Sequence, residues 1–171
     1  SPFALRKLHS ASGVLPVGVF VLLHLWTQSS AHRGRVAYGA AMDDALSFPL
    51  QPVLELILVL IPLAFHASYG VVLALRSRPT VSAYPVHRNW MHAAQRASGI
   101  VTLIFIVWHM SQTWLPRLLG QVRAAQMHPH LVEAFSSTTA GLPLTALATL
   151  VGVGAASFHL ANGLWSAGVS W

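Results

Sequence analysis

Long apolar stretches alternate with short polar segments along the whole chain. Between Lys7 and Arg33 no Asp, Glu, Lys or Arg occurs, and three further apolar stretches with few charges follow. An α-helix needs about 20 mostly apolar residues to cross a bilayer, and each stretch reaches that length with its flanks. The pattern predicts four transmembrane helices, over about residues 11–30, 53–75, 94–115 and 142–165.

The first apolar stretch is expected to be a retained membrane helix and not a cleaved signal sequence. It is longer than the apolar region of a signal peptide, carries His24 in its interior and lacks a convincing small-residue cleavage site. The connections between the stretches are polar and rich in turn residues, and none is expected to form a separate domain. We therefore expect one all-α transmembrane bundle over residues 1–171.

Composition agrees with lipid as the solvent of this chain. Charged residues make up 8% and hydrophobic residues 54%, whereas soluble domains are about 25% charged. A soluble globule, a disordered chain and a secreted scaffold are therefore excluded. The net charge of +6 reflects the scarcity of carboxylates, with 10 Lys and Arg against 4 Asp and Glu, so nucleic acid is not an expected partner.

Basic residues are distributed unequally between the two sides of the predicted bundle. The N-terminal arm and the second connection hold Arg6, Lys7, Arg76, Arg78, Arg88 and Arg96. The opposite side holds Arg33, Arg35, Arg117 and Arg123. Because cytoplasmic segments carry the excess of Lys and Arg, this distribution predicts a cytoplasmic N-terminus.

Each predicted span contains a histidine in its interior, and the four are His24, His66, His109 and His159. Ionisable groups in lipid are costly and usually functional. Each histidine falls on the C-terminal side of its helix centre. Because successive spans run in opposite directions, His24 and His109 are expected in one layer, and His66 and His159 in another.

Two local repeats predict the same pairing. Ala-Ser-Gly occurs at residues 11–13 and 97–99, and its glycine precedes His24 or His109 by about three helical turns. The other two spans share Phe-His-x-x-x-Gly instead, at residues 65–70 and 158–163. Gly13 and Gly99 are expected level with His66 and His159, where missing side chains would leave space for a bulky planar group.

Two facing histidines suit the axial ligation of a haem better than a zinc site, because zinc usually takes four ligands. The chain has no cysteine, which excludes disulfides, thiolate metal sites, cysteine-ligated iron–sulfur clusters and covalently attached haem. Two histidine layers therefore predict two non-covalent b haems, with both axial positions filled and electron transfer as their function.

Several longer segments together resemble the di-haem cytochrome b membrane-anchor subunit of succinate:quinone oxidoreductases, of the single-chain Bacillus-like type found in succinate dehydrogenases and related fumarate reductases. The segments that carry this resemblance are Leu5-Arg6-Lys7-Leu8-His9-Ser10, Gly13-Val14-Leu15-Pro16-Val17-Gly18, His24-Leu25, Phe65-His66-Ala67-Ser68-Tyr69-Gly70-Val71, Arg88-Asn89-Trp90-Met91, Gln95-Arg96-Ala97-Ser98-Gly99-Ile100, Trp108-His109 and Phe158-His159-Leu160-Ala161-Asn162-Gly163-Leu164-Trp165. The resemblance covers the whole chain.

The resemblance implies a multi-pass subunit of a bacterial cytoplasmic membrane. In it, His24 and His109 would ligate the haem nearer the outer face, and His66 and His159 the haem nearer the cytoplasm. Succinate would be oxidised by a flavoprotein subunit bearing FAD, and an iron–sulfur subunit would pass the electrons to this chain. The substrate reduced within this subunit would be a quinone, expected to be menaquinone. Membrane lipid surrounds such a subunit.

The resemblance also implies roles for three polar residues. Asp43 would be the proton group on the quinone side, with Asp44 and Glu55 as alternative acids. Ser10 and His87 would bind the propionates of the cytoplasmic-side haem.

The chain also departs from the family. The family has a fifth transmembrane helix after the Gly-Leu-Trp segment, which is at residues 163–165 here. Some fumarate reductases carry a Glu two residues before the fourth ligand, where this chain has Ser157.

Two other functions remain open from the residues. One is a di-haem cytochrome b of another membrane dehydrogenase, such as a hydrogenase or formate dehydrogenase, against which the segments at residues 88–90 and 95–99 argue. The other is a histidine-lined metal or proton transporter. A transporter predicts acidic side chains beside the histidines, and apart from Glu55 the spans contain none.

Overall fold

The structure is a computed structural model that describes residues 2–77 and 81–170, without the side chain of Ser170. Arg78, one of the residues used to predict the orientation, lies outside the described residues. The helices are α1 (Pro2–Arg33), α2 (Arg35–Leu46), α3 (Gln51–Arg76), α4 (His87–Gln112), α5 (Trp114–Leu118), α6 (Ala124–Ser136) and α7 (Leu144–Ser170). The residues described contain no strand longer than an isolated bridge.

Four helical stretches are long and apolar enough to cross a membrane. They are Pro2–Arg33, Gln51–Arg76, His87–Leu118 and Leu144–Val169. The prediction of an all-α protein with four such helices is confirmed. Most of their large apolar side chains face outward, for example Leu22, Ile104 and Leu150, each more than 60% exposed. This surface is what a lipid environment requires.

The four long helices form a closed ring. Helix α1 packs against α3 and α7, while α4 packs against α7 and α3. Consequently α1 lies diagonally opposite α4, and α3 lies diagonally opposite α7. Side chains that point to the centre of the ring from opposite helices can therefore meet across it.

Proline interrupts the regular hydrogen bonding of two of these helices. Pro16 lies within a π-helical segment of α1, Gly13–Val17, and Pro62 follows a similar segment of α3, Leu56–Leu60. Proline has no N–H to donate, so the carbonyl four residues earlier loses its usual partner and the helix is locally rewound. Both irregularities precede the histidines of their helices and alter the direction in which those side chains point.

Two shorter helices cover one end of the ring, within connections that the sequence pattern indicated only as polar. Helix α2 packs against α6, and α6 also contacts α7. Tyr38 on α2 is 1% exposed, and its hydroxyl donates to Oε1 of Gln28 on α1 at 2.9 Å. Burial raises the pKa of the Tyr38 hydroxyl, and the hydrogen bond to Gln28 lowers it by less. The buried Met127 of α6 completes this cap.

An ion pair ties the start of α3 to α5 near the same end. The guanidinium of Arg117 lies 3.5 Å from both carboxylate oxygens of Glu55, and Oε2 of Glu55 also accepts a hydrogen bond from Gln51 Nε2 at 2.7 Å. Their side chains are only 25% and 18% exposed. Glu55 is thus held in a local polar network.

Candidate cofactor site

The four span histidines meet as two pairs inside the ring. The ring centroids of His24 on α1 and His109 on α4 are 5.9 Å apart, with their planes at 82°. Those of His66 on α3 and His159 on α7 are 6.1 Å apart, with their planes at 85°. Each pair spans one diagonal of the bundle. We call His66 and His159 the proximal pair, because they lie near the start of α1, and His24 and His109 the distal pair.

The proximal pair is oriented by hydrogen bonds to backbone carbonyls of neighbouring helices. Nδ1 of His66 lies 2.9 Å from the carbonyl oxygen of His9, and Nδ1 of His159 lies 3.0 Å from that of Gln95. A carbonyl oxygen can only accept, so Nδ1 is the protonated nitrogen in both rings. The lone pair of Nε2 is then free for a metal, which is the usual arrangement of metal-binding histidine.

Two glycines make room for the proximal imidazoles. A Cβ placed on Gly13 would be 2.4 Å from Cε1 of His66, and one on Gly99 would be 2.8 Å from Cε1 of His159. Such distances are shorter than any real contact of a Cβ atom. The glycines therefore accommodate the imidazole rings themselves. From the sequence, these glycines were expected to clear space for a larger planar group.

The distal pair is flanked by aromatic rings. Phe20 stacks against His24 with ring centroids 5.6 Å apart, and Phe105 stacks against His109 at 5.4 Å. Each phenylalanine precedes its histidine by one helical turn. Gly152 on α7 faces Phe105 so closely that a Cβ there would lie 2.1 Å from the ring. Sequence reasoning did not single out Phe20 or Phe105, although Phe-x-x-x-His in both spans was a visible signal.

The residues present fit an iron porphyrin better than a protein-only metal site. A metal about 2.0 Å from the ligating nitrogen of each imidazole separates the ring centroids by about 6 Å, which matches both pairs. Within the described part of the chain, no group of three or more His, Cys, Asp or Glu side chains could hold a metal ion. An ion held by either pair would need its remaining ligands from a cofactor, as haem iron has them from the porphyrin.

Two open cavities lie at the ends of the bundle. The proximal cavity, of about 410 Å³, lies between α4 and α7 and is lined by His87, Arg88, Met91, Phe158, Ala161, Asn162 and Trp165. The distal cavity, of about 330 Å³, lies between α1 and α2 and is lined by Trp26, Thr27, Ser30, Arg33, Ala41, Asp44 and Ala45. Both combine an apolar wall with an arginine.

Of the other predicted site residues, only some fall at or beside these cavities. His87 is exposed at the start of α4 and lines the proximal cavity, whereas Ser10 is half-buried on α1 and is not part of that lining. Asp43 is exposed on α2, next to Asp44, which lines the distal cavity. Glu55 is engaged with Arg117.

Comparison with known proteins gives one informative relative. The chain is 37% identical over 169 residues to the succinate dehydrogenase cytochrome b558 subunit of Bacillus subtilis (strain 168), and the match covers 99% of the chain and 80% of the relative. No protein-family model matches the chain. No solved structure matches it either. At this identity and coverage, the chain belongs to the family of succinate dehydrogenase cytochrome b subunits.

Proposed function

We propose that this chain anchors a succinate dehydrogenase in the bacterial cytoplasmic membrane. It carries electrons from an iron–sulfur subunit, through two b haems, to a quinone. The observation that carries the proposal is the presence of two histidine pairs on the two diagonals of one bundle, at the ring spacing that a shared metal requires. The similarity to a cytochrome b558 subunit of succinate dehydrogenase supports the same assignment.

The proximal pair would hold one haem and the distal pair the other. A haem bound at each pair supplies a one-electron redox centre. His66 and His159 would bind the iron through Nε2, because their Nδ1–H groups donate to the carbonyls of His9 and Gln95. With two histidines at each pair, such a haem would serve electron transfer and not oxygen binding.

Polar residues at the proximal end would bind the haem propionates. His87 and Arg88 line the proximal cavity beside Asn162, and a cation or N–H donor at the membrane edge is what a carboxylate requires. Ser10 on the neighbouring α1 is proposed as a further donor. Exposed basic residues at this end, including Arg6, would face anionic lipid or the iron–sulfur subunit.

Quinone reduction is proposed at the distal cavity. The reaction takes two electrons and two protons per quinone, so a proton donor must lie beside the site. Asp43 is the proposed proton group, and the adjacent Asp44 lines the cavity together with Arg33. Asp43 is exposed, so it can exchange protons with water at the membrane surface. Menaquinone is the proposed substrate.

The haem content of the purified complex tests the central proposal. We expect two low-spin b haems per chain in a reduced-minus-oxidised visible spectrum with haem quantification. His66→Ala is expected to remove the proximal haem and His24→Ala the distal one. His92→Ala is the matched control, because His92 is an exposed histidine of α4 outside both pairs. A colourless complex, or equal losses in all three variants, would contradict the proposal.

Purification also tests the partners. A flavin-bearing subunit and an iron–sulfur subunit are expected to co-purify with the chain, and succinate is expected to reduce its haems. Recovery of a hydrogenase or a formate dehydrogenase instead would identify a different electron donor.

Orientation can be tested because the chain contains no cysteine. Ser82→Cys lies in the connection between α3 and α4, and Ser137→Cys follows α6 at the distal end; both positions are exposed. With a cytoplasmic N-terminus, a membrane-impermeant maleimide should label position 137 in intact cells and position 82 only after lysis. The reverse labelling would show the opposite orientation.

A further inference from the structure

The carbonyls that orient the proximal pair occupy equivalent positions in two copies of a short sequence. His9 precedes Ala11-Ser12-Gly13, and Gln95 precedes Ala97-Ser98-Gly99 at the same spacing. In the first copy, the carbonyl oxygen of His9 accepts from the Ser12 hydroxyl at 2.9 Å and from the His66 imidazole at 2.9 Å. The same carbonyl therefore serves two side-chain donors.

The second copy repeats this arrangement on the opposite side of the bundle. The carbonyl oxygen of Gln95 accepts from the Ser98 hydroxyl at 3.1 Å and from the His159 imidazole at 3.0 Å. In this copy the Ser98 hydroxyl also lies 3.4 Å from Nδ1 of His159, a weaker contact than the bond to the carbonyl. Serine hydroxyls commonly donate to the carbonyl three or four residues earlier in a helix, as Ser111 does to Trp108. At Ser12 and Ser98, however, the accepting carbonyl is also the partner of a span histidine.

The side chains of His9 and Gln95 make a second contact with the same two histidines. The ring of His9 stacks on that of His66, with centroids 4.1 Å apart and planes at 9°. Its Nδ1 atom is buried without a hydrogen-bond partner among the described residues, so stacking is the contact that this ring makes with His66. Gln95 uses its side-chain amide, which donates to the carbonyl of His159 at 3.1 Å.

Gln95 is itself fixed by a buried asparagine. Asn162 on α7 is 7% exposed, and its amide donates to Oε1 of Gln95 at 2.7 Å. Unpaired polar groups are costly in a bilayer, so this connection between α4 and α7 keeps Gln95 in place. The backbone of Gln95 and that of His159 are thereby held in register.

We propose that His9 and Gln95 are the positioning residues of the proximal pair, and that Ser12 and Ser98 tune the hydrogen bonds that those residues accept. The inference rests on the proposed function, because it treats His66 and His159 as ligands of a haem. A carbonyl that also accepts a hydroxyl proton has less negative charge available for the imidazole N–H. Each serine thus weakens the bond at Nδ1 and lowers the basicity of the ligand at Nε2.

Reduction potentials measured on the purified complex test this role. Ser12→Ala and Ser98→Ala each remove the hydroxyl that competes with the imidazole for the carbonyl, which strengthens the hydrogen bond at Nδ1 and makes the histidine a stronger ligand of the oxidised haem. We expect the equilibrium between reduced and oxidised proximal haem to shift about threefold toward the oxidised form in each variant, a potential about 28 mV lower for a one-electron couple. The double variant should shift it by about the product of both factors.

Three controls separate this role from a general packing effect. Ser98→Thr retains the hydroxyl and should keep the wild-type potential. Ser111→Ala removes a hydroxyl on the same helix whose carbonyl partner binds no imidazole, and it should leave the proximal potential unchanged. The distal haem of each variant serves as an internal reference.

The angle between the two imidazole planes gives a second measurement. The planes of the proximal pair stand at 85°, and the electron paramagnetic resonance spectrum of an oxidised bis-histidine haem depends on that angle. Gln95→Met removes the side-chain contacts to His159 and Asn162 but retains the carbonyl. We expect it to shift the proximal signal and leave the distal signal in place.

The possible results separate this inference from the proposed function. If the wild-type complex lacks the two haems, the proposed function is wrong and the inference fails with it. If both haems are present but neither serine-to-alanine variant changes the proximal potential, only the inference is wrong. Equal shifts of the proximal and distal potentials would also overturn it. Should Ser98→Ala fail to assemble, Ser12→Ala and the spectrum of Gln95→Met decide the question alone.

Discussion

Gly13 of α1 lies directly against the imidazole ring of His66 on α3, and a Cβ at position 13 would be 2.4 Å from Cε1 of that ring. We expect Gly13→Ala to displace His66, because the added Cβ would overlap the imidazole ring. The helix backbone cannot move away easily, and the ring is fixed by a hydrogen bond and by stacking. The complex should lose most of its proximal haem while it retains the distal haem. Haem quantification and the reduced-minus-oxidised spectrum measure both.

Gly154→Ala is the control for this substitution. Gly154 lies on α7, in the same bundle, and a Cβ there would meet nothing within 4 Å. Its haem content should equal that of the wild type. Retention of both haems in Gly13→Ala would show that the close approach to His66 is not needed for haem binding.

The pairing of the histidines could be predicted because the spans share repeated sequence motifs. One histidine per span, together with the two copies of Ala-Ser-Gly, was sufficient to predict which histidines face each other. The sequence did not show that Gly13 and Gly99 lie directly against imidazole rings, because the direction of an imidazole depends on the packing angle of its helix. The π-helical segments at residues 13–17 and 56–60 change that direction further.

The cap at the distal end was not predicted because its helices carry a weaker signal. Helix α2 includes the small residues Gly39, Ala40 and Ala41 and two adjacent acids, a composition that also suits a polar connection. Tyr38 becomes buried only because α6, about 90 residues later in the chain, packs over it. Such a contact between distant segments leaves no periodic pattern in either one.

Tyr38→Phe tests the contribution of this cap to stability. The substitution removes the hydrogen bond to Gln28 and leaves the amide oxygen of this half-buried side chain without its donor. We expect the free energy of unfolding of the detergent-solubilised complex to fall by about 1 kcal/mol, measured from thermal unfolding near neutral pH. Tyr84→Phe is the control, because the Tyr84 side chain is 68% exposed; an equal effect of both would argue against the buried hydrogen bond.

Tyr38 also predicts a dependence of stability on alkaline pH. Burial raises the pKa of the Tyr38 hydroxyl above its usual value of 10.0. Above that value the unfolded chain releases this proton while the folded chain keeps it, so the free energy of unfolding falls as the pH rises. Part of the loss of thermal stability between about pH 9 and pH 11 should therefore disappear in Tyr38→Phe. A loss of the same size in wild type and variant would exclude this contribution.

The ion pair between Glu55 and Arg117 is expected to stabilise the distal end modestly. Its side chains are partly exposed and 3.5 Å apart, a setting in which such pairs contribute about 1 kcal/mol or less. A double-mutant cycle with Glu55→Gln and Arg117→Met should give a coupling energy of that size from thermal unfolding. Additive effects of the two substitutions would show that the pair does not interact.

The acids near the distal cavity should affect quinone reduction without affecting the haems. Positioned proton donors typically contribute 10²–10⁴-fold to a rate, so Asp43→Asn is expected to slow succinate:quinone turnover by at least about tenfold. Reduction of both haems by succinate in the absence of quinone should stay at the wild-type level, because electrons reach the haems before any proton is needed. Measuring both rates separates a defect in proton delivery from a defect in assembly.

Two further variants locate the proton group within the distal end. Asp44→Asn changes the acid that lines the cavity, and Glu133→Gln changes an exposed acid of α6 at the same end. The Glu133 variant should turn over normally, since loss of a negative surface charge alone does not remove a donor from the cavity. If Asp44→Asn slows quinone reduction and Asp43→Asn does not, the proton reaches the quinone from the cavity wall and Asp43 has no part in the transfer.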